Sequence, residues 1–307
     1  MYTAYFSILK DFLCVINVNK VSSLLNVVGV SGCGDKIVPA YSELYSLESE
    51  LTSENQKILK AISRISSALG RAGIWVMDRG CDRFELMYRL LRDSIYFVIR
   101  QRGDRHLWYR GKKRPLRWVC RKVELKYDFT VTKRRKNRII ERTYHAGARH
   151  VRLTPGGKDL WLVVSKADGR GYCYYLSYLA TEDEREAVEL TFREYGHRWK
   201  IEEVHRHVKE QYNWEGICLR RYVALKNMNA VFWIAISFIY TRLESLPVEI
   251  YSRLNLIYRN RITELLGFVY YKLSVAMKMI FSKCTLRLKT LHKWDKTSQL
   301  VLNLGGV

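Results

Sequence analysis

The hydrophobic positions of the first hundred residues fall into short blocks of changing period. "LLNVVGV" (Leu24 to Val30) is a Val-rich run with no polar alternation beyond Asn26, and "IVPAYSELYS" (Ile37 to Ser46) is a second extended run. The turn-forming "SGCGDK" between them makes the pair read as a β-hairpin. The period then lengthens. Ile58, Leu59, Ile62, Ile65 and Leu69 recur at helical spacing, Ser53 and Gln56 stand at the spacing of a capping box before them, and Gly70 and Gly73 close the segment. "IWVMDRG" is next: a short apolar strand, Ile74 to Met77, that stops on Asp78 and a turn. A helix around "DRFELMYRLLRD" and a strand in "IYFVIR" complete an α/β pattern.

From about residue 100 to 180 the pattern alternates with period two. "VELKYDFTV" and "DLWLVVS" read as strands, broken by "PGGK" and "DGRGY". From Thr181 onward it is helical again. The first helix carries "EYGHRWKIEEVHRHVK", with acidic residues crowding its first turn and Thr181 as N-cap, as the helix dipole favours. A second helix covers "YVALKNMNAVFWIAISFIYTRLESL" and is stopped by Pro247. A basic helical tail follows from about residue 248. No internal repeat is present. The longest apolar run, "AVFWIAISFIY", has 11 residues against the roughly 20 of a membrane span, so it reads as a buried helix and no membrane partner is expected.

Charge changes the picture most. The 307 residues carry 53 Lys or Arg against 30 Asp or Glu, a net charge of +23, which points to a polyanionic partner and most often nucleic acid. The excess is concentrated. Arg105 to Arg152 holds 17 basic and 3 acidic residues, interleaved with Trp108, Tyr109, Trp118, Tyr127 and Tyr144. Cations neutralise phosphates and aromatic rings stack on bases. Arg134, Arg135 and Lys136 are read as DNA contacts within this stretch. The seven cysteines are scattered and never form a Cys-x-x-Cys pair, which excludes a disulfide framework or zinc site and suggests a reducing compartment.

The candidate chemistry is carboxylate chemistry. Asp78 ends a strand, and Glu202 lies far downstream on a helix. Both are hard oxygen donors suited to Mg²⁺ or Mn²⁺, and a two-metal site of this kind runs phosphoryl transfer. Tyr195, Arg198, Glu202 and Lys209 follow one another at offsets of 3, 4 and 7. On a continuous helix that spacing places them within an arc of roughly 60°. Glu202 and His205 have the spacing of a di-iron helix, but nothing elsewhere supplies the second copy such a site needs. His205 and His207 read as surface residues.

Tyr195, Arg198, Glu202 and Lys209 match Tyr-x2-Arg-x3-Glu-x6-Lys, and "DRGCD" (Asp78 to Asp82) supplies an acidic turn after a strand. On these residues the chain resembles the DDE-type transposases of bacterial insertion sequences, of the insertion-sequence-four type, over roughly residues 24 to 245. The resemblance implies an α/β fold. Its RNase H-like (retroviral-integrase-like) core, residues 24–99 and 181–247, is interrupted by a basic β-rich insertion, residues 100–180, and followed by a helical tail, 248–307. It implies Asp78 and Glu202 as metal carboxylates, with Tyr195, Arg198 and Lys209 as contacts to transposon-end DNA. The implied reaction is metal-dependent cleavage at the element's ends, then transfer of the freed 3′-hydroxyl into target DNA, by a homodimer on paired ends in the bacterial cytoplasm, at the nucleoid. The family keeps a first aspartate on a strand before the hairpin. Residues 1–23 do not resemble that segment, and Asp11 abuts the apolar run "FLCVI". The expectation is therefore an N-terminally truncated chain whose residues 1–23 are a remnant outside the core, with catalysis impaired. The alternative is a non-catalytic DNA-binding remnant or regulator.

Overall fold

The computed structural model describes residues 4–13, 22–31, 36–46, 50, 52–70, 72–135, 138–212, 219 and 221–242. The chain divides into two compact units, Met1–Thr241 and Arg242–Val307. The elements below belong to the first, and the expected helical tail, 248–307, lies outside the described residues.

Three antiparallel strands open the fold: β1 (Ala4–Leu13), β2 (Ser22–Ser31) and β3 (Ile37–Tyr45). Helix α1 (Glu54–Ala68) follows, and the capping box forms as expected. Ser53 Oγ accepts from Gln56 N, and Gln56 Oε1 accepts from Ser53 N, each at 3.2 Å. After α1 the backbone turns through positive φ at Gly70 and Gly73, a region glycine enters freely. Next come β4 (Ile74–Met77), a 3-10 turn (Arg79–Cys81), α2 (Phe84–Arg92) and β5 (Phe97–Arg100). A small hairpin, β6 (His106–Tyr109) and β7 (Lys112–Pro115), leads into the short helix α3 (Leu116–Cys120). Four longer strands complete the sheet: β8 (Tyr127–Arg135), β9 (Arg138–Val151), β10 (Leu160–Ala167) and β11 (Tyr172–Tyr178). Helices α4 (Glu184–His197), α5 (Trp199–Tyr212) and α6 (Tyr222–Arg242) follow.

One nine-stranded sheet runs β3-β2-β1-β4-β5-β11-β10-β9-β8. Strand β1 pairs antiparallel with β2 and parallel with β4, with Ile8 opposite Met77. This corrects the expectation that residues 1–23 stand outside the core: Ala4–Leu13 is a central strand, and β2 is not left with an unpaired edge. Asp11 lies inside that strand, opposite Leu24. The boundary drawn at residue 100 is not a break in the sheet either, because β11 pairs with β5.

Each face of the sheet is covered. Trp75, Met77, Phe97 and Ile99 point into a cluster with Ile58, Ile62 and Ile65 of α1 and Leu86 and Leu90 of α2. Leu107, Leu116 and Val119 bring the β6–β7 hairpin and α3 into the same cluster. Full burial of each such side chain is worth about 1.5–3 kcal/mol. The alternate residues Val76, Val98, Val163 and Tyr175 are buried on the opposite face. There α4 packs on β1, β4, β5 and β9–β11, and α5 packs on β1 and β2.

The expected single helix after Thr181 is two helices. Its N-cap is Asp183, which accepts from Glu186 N at 2.7 Å, and Thr181 instead accepts from Asp183 N. The break falls at Arg198. Arg198 N bonds Tyr195 O and Ile201 N bonds Arg198 O, both three-residue bonds that tighten the turn. Gly196, a weak helix former, stands just before it. Helix α6 is half-buried rather than buried. It packs through Leu225, Trp233, Ile236, Ile239 and Tyr240, and exposes Val231, Ile234 and Phe238. By length and composition alone it could cross a membrane. His205 and His207 are buried, not at the surface: His205 Nε2 lies 3.0 Å from Asn26 Nδ2, and His207 Nδ1 lies 3.0 Å from the Tyr240 hydroxyl.

Candidate active site and DNA interface

Asp78 is the first residue past β4, where the chain leaves the sheet. Its carboxylate caps the 3-10 turn, accepting from Gly80 N at 2.8 Å. The turn is clamped from below by Asp82. Asp82 is buried; it accepts from Arg105 Nη2 at 2.5 Å, Arg105 Nε at 3.1 Å and Arg102 N at 2.8 Å. Arg102 Nε also donates to Arg79 O at 3.1 Å. The second half of "DRGCD" therefore ties the Asp78 turn to the chain leaving β5.

Arg100, which the sequence reading did not single out, neighbours the candidate site residues. The β4–β5 register ends with Met77 opposite Ile99, which brings Arg100 level with Asp78 on the next strand. Its Nη2 lies 3.4 Å from Cys173 Sγ, and its guanidinium hydrogen-bonds Tyr195. Burial works against its charge, but the fields of Cys173, Tyr195 and Tyr175 outweigh burial and hold its pKa above the ordinary value. The available signal was its place as the last residue of a buried strand beside the one ending on Asp78.

Tyr195 is on α4, half-buried, with its ring edge-on to Tyr175 at 4.8 Å between centroids. Arg198, at the helix break, holds its guanidinium 5.8 Å from the centre of the Tyr195 ring and pairs with the Glu202 carboxylate one turn later. Three of the four motif residues thus form one contact chain, Tyr195–Arg198–Glu202, although they span two helices. Arg198 is 18% exposed and Glu202 43%, so the pair sits at the rim of the protein with the carboxylate open to solvent. Lys209 is exposed in the last turn of α5. Arg134 and Arg135 end β8, where Arg135 is opposite Arg138; their side chains, and Lys136 entirely, lie outside the described residues.

Asp78 and Glu202 have the donor chemistry of a Mg²⁺ or Mn²⁺ site. Among the described residues no group of three or more His, Cys, Asp or Glu gathers as a metal site. The two carboxylates therefore fit such an ion in kind, but they do not complete its shell alone.

A family model described as "Transposase DDE domain" matches residues 45–238. The chain belongs to that family. A search of curated proteins gave no match. The matched span starts on the last residue of β3 and runs to within four residues of the end of α6, so it holds Asp78, Tyr195, Arg198, Glu202 and Lys209. Membership gives the protein a transposase function and DNA as its partner.

Proposed function

We propose that this transposase cleaves phosphodiesters at the ends of an insertion sequence of the insertion-sequence-four type and joins the freed 3′-hydroxyl to target DNA. In this reading β3-β2-β1-β4-β5 with α4 and α5 is an RNase H-like core, and β6–β11 is an insertion that extends its sheet. The carboxylates are Asp78, Glu202 and Asp11, the acid whose absence the sequence reading expected.

The observation that carries the reading is the ladder around β1. Ser7 is opposite both Val28 and Val76, Leu9 is opposite Asn26, and Asp11 is opposite Leu24. Residues directly opposite in a ladder share a face, and so do residues two apart. Position 11 therefore belongs to the face of Val76 and Asn26. That is the face covered by α5, since Asn26 meets His205 there. Positions 11 and 78 follow the parallel strands β1 and β4 in the same direction, toward one end of the sheet.

A divalent cation held by these acids supplies the activation of water and the charge stabilisation that phosphodiester cleavage needs. The protein's own residues bind and orient. Arg198, braced on the Tyr195 ring, holds the Glu202 carboxylate in place. Arg100, Arg198 and Lys209 put positive charge where the scissile phosphate and its neighbours lie. In cleavage, water attacks phosphorus and the 3′-oxygen leaves as a hydroxyl; in joining, that hydroxyl attacks a target phosphodiester and expels its 3′-oxygen. Two chains, each holding one end, make a homodimer the working form, in a bacterial cytoplasm at the nucleoid.

The test is calorimetric titration of the purified protein with MnCl₂, wild type beside Asp11→Asn, Asp78→Asn and Glu202→Gln. Binding that weakens by about tenfold or more in each variant supports a shared three-carboxylate site. Binding untouched by all three overturns it. No Mn²⁺ binding in any protein favours the second reading, a DNA-binding protein without catalysis.

A further inference from the structure

Away from the carboxylates, the β6–β7 hairpin, α3 and β9 enclose an open cleft of about 510 Å³ lined by Tyr109, Arg110, Lys112, Arg114, Trp118, Lys122 and Arg149. Its composition is unusual: five cations and two aromatic rings, with no carboxylate in the lining. Arg149 reaches Glu184 Oε2 at 3.4 Å. Among the described residues Arg110, Lys112, Arg114 and Lys122 pair with no acid. Three of these four lie on aromatic faces instead: Arg110 at 5.3 Å from the Tyr109 centroid, Arg114 at 4.9 Å and Lys122 at 5.6 Å from that of Trp118. The two rings meet edge-on at 6.4 Å.

The backbone adds a second observation. Arg110 and Gly111 form the two-residue turn between β6 and β7, with φ of 50° and 73°. Glycine adopts that conformation freely, whereas an arginine there is strained by about 1 kcal/mol or more. An Asn or Gly would close this turn more easily, so the guanidinium is held at the cleft mouth against local preference.

The cleft is also separate from the proposed catalytic face. Its hairpin and α3 are anchored through Leu107, Leu116 and Val119 in the cluster under α1 and α2, while Tyr195, Arg198 and Glu202 ride on helices across the sheet.

We propose that Tyr109, Arg110, Lys112, Arg114, Trp118 and Lys122 form a second binding site, for a nucleotide with an unpaired base. The cleft volume suits one nucleotide. Its phosphate meets the uncompensated cations, and its base displaces a cation from the face of Trp118 or Tyr109 and stacks there, so that the freed cation turns to the phosphate. A paired base is buried in its own stack and cannot make that exchange. The source of the nucleotide is either a single-stranded stretch of DNA or a free nucleotide. The proposal does not depend on the carboxylate assignment.

The experiment is fluorescence anisotropy with a labelled twelve-residue oligothymidylate and a labelled duplex of the same length, on the full chain. Trp118→Ala and Arg114→Ala are each expected to weaken single-strand binding by about tenfold. Trp118→Phe, which keeps a ring, retains most of it. Duplex affinity stays within about twofold of wild type in all three variants. Arg170→Ala, an exposed cation outside the cleft, is the control for loss of charge alone. Competition by 5′-dTMP identifies a free nucleotide as sufficient, and competition only by unlabelled oligonucleotide identifies the strand; either supports the site. Should Trp118→Ala fail to fold, Lys112→Glu with Lys122→Glu, both exposed, carries the test. Single-strand binding equal to wild type in the cleft variants, or a duplex loss as large as the single-strand loss, overturns the proposal.

Discussion

Replacing Arg105 with alanine tests whether the Asp78 turn is held by a buried ion pair. The Asp82 side chain is 1% exposed and that of Arg105 13%. Asp82 Oδ1 takes both Arg105 bonds and Oδ2 takes the Arg102 N–H. Arg105→Ala leaves a carboxylate in the interior with one backbone donor. Removing one partner of a buried pair costs about 3–5 kcal/mol, because the remaining charge is stranded. The surviving Arg102 bond argues for the lower end, about 3 kcal/mol. That is a large part of the roughly 5–15 kcal/mol by which a domain is stable. Urea unfolding followed by tryptophan fluorescence reads it directly.

The double variant isolates the cause. Asp82→Asn keeps an oxygen for Arg102 N but carries no charge, so adding it to Arg105→Ala removes the stranded carboxylate. The double variant should recover about 1–2 kcal/mol relative to Arg105→Ala alone. Mn²⁺ titration of Arg105→Ala should show weakened binding as well, because the clamp and Asp78 share one turn. A loss under about 1 kcal/mol, the range of an exposed pair, refutes the clamp. So does a double variant whose loss is the sum of the two single losses.

Gly147→Ala should be the most damaging single methyl: a Cβ there meets Glu124 O at 1.9 Å, and relief requires backbone movement, so a loss of more than about 3 kcal/mol or insoluble protein is expected in a thermal-unfolding series. Ser53→Ala removes one half of the α1 capping box and should cost about 1 kcal/mol, with a fall in Tm of about 2–4 °C. Acid should loosen α6 from β3 and α1. Burial opposes the charge of Glu50, but hydrogen bonds from Lys226, Lys57 and Tyr222 prevail and lower its pKa from 4.5 to about 2. That stabilisation is complete above the unfolded value and is lost as pH falls from about 4.5 toward 2. Screening by solvent around the partly exposed carboxylate limits it to about 1–2 kcal/mol. Urea unfolding between pH 6 and 2.5 should therefore show wild type losing that much more stability than Glu50→Gln; equal losses refute the assignment.

Local pattern made much of this fold legible. The β2–β3 hairpin, the α1 cap, β4 ending on Asp78 and the four motif residues all follow from short-range spacing. The errors arose where a short-range signal was silent about its partner. A 3.6-residue period passes through a one-residue break, so the spacing from Tyr195 to Lys209 could not reveal the two tightened bonds at Arg198 after which the chain continues as α5, over β1 and β2. His205 could have been found. Ile201, Val204 and Val208 are the buried stripe of α5, and position 205 falls on it at helical spacing. The basic residues between Arg105 and Lys122 were legible as a concentration of charge but not as a cleft, because a hairpin, a short helix and a distant strand must meet before they line one.

The first strand shows why an acid could be dismissed on sound local grounds. "AYFSILKDFL" mixes Ser, Lys and Asp into an apolar run, and lacks both the alternation of a half-exposed strand and the continuity of a buried one. Judged alone, Asp11 is a charge beside a hydrophobic patch. Its standing changes only with the register, for Ile8 opposite Met77 brings β1 alongside the strand that ends at Asp78, and Leu9 opposite Asn26 gives it the face that α5 covers. In the proposed site a cation shared by Asp11, Asp78 and Glu202 would offset the mutual repulsion of their charges. The same residue that weakens the strand's sequence signature is then the one the site requires, and Asp11→Asn, by removing the charge, should stabilise the metal-free fold while it weakens Mn²⁺ binding.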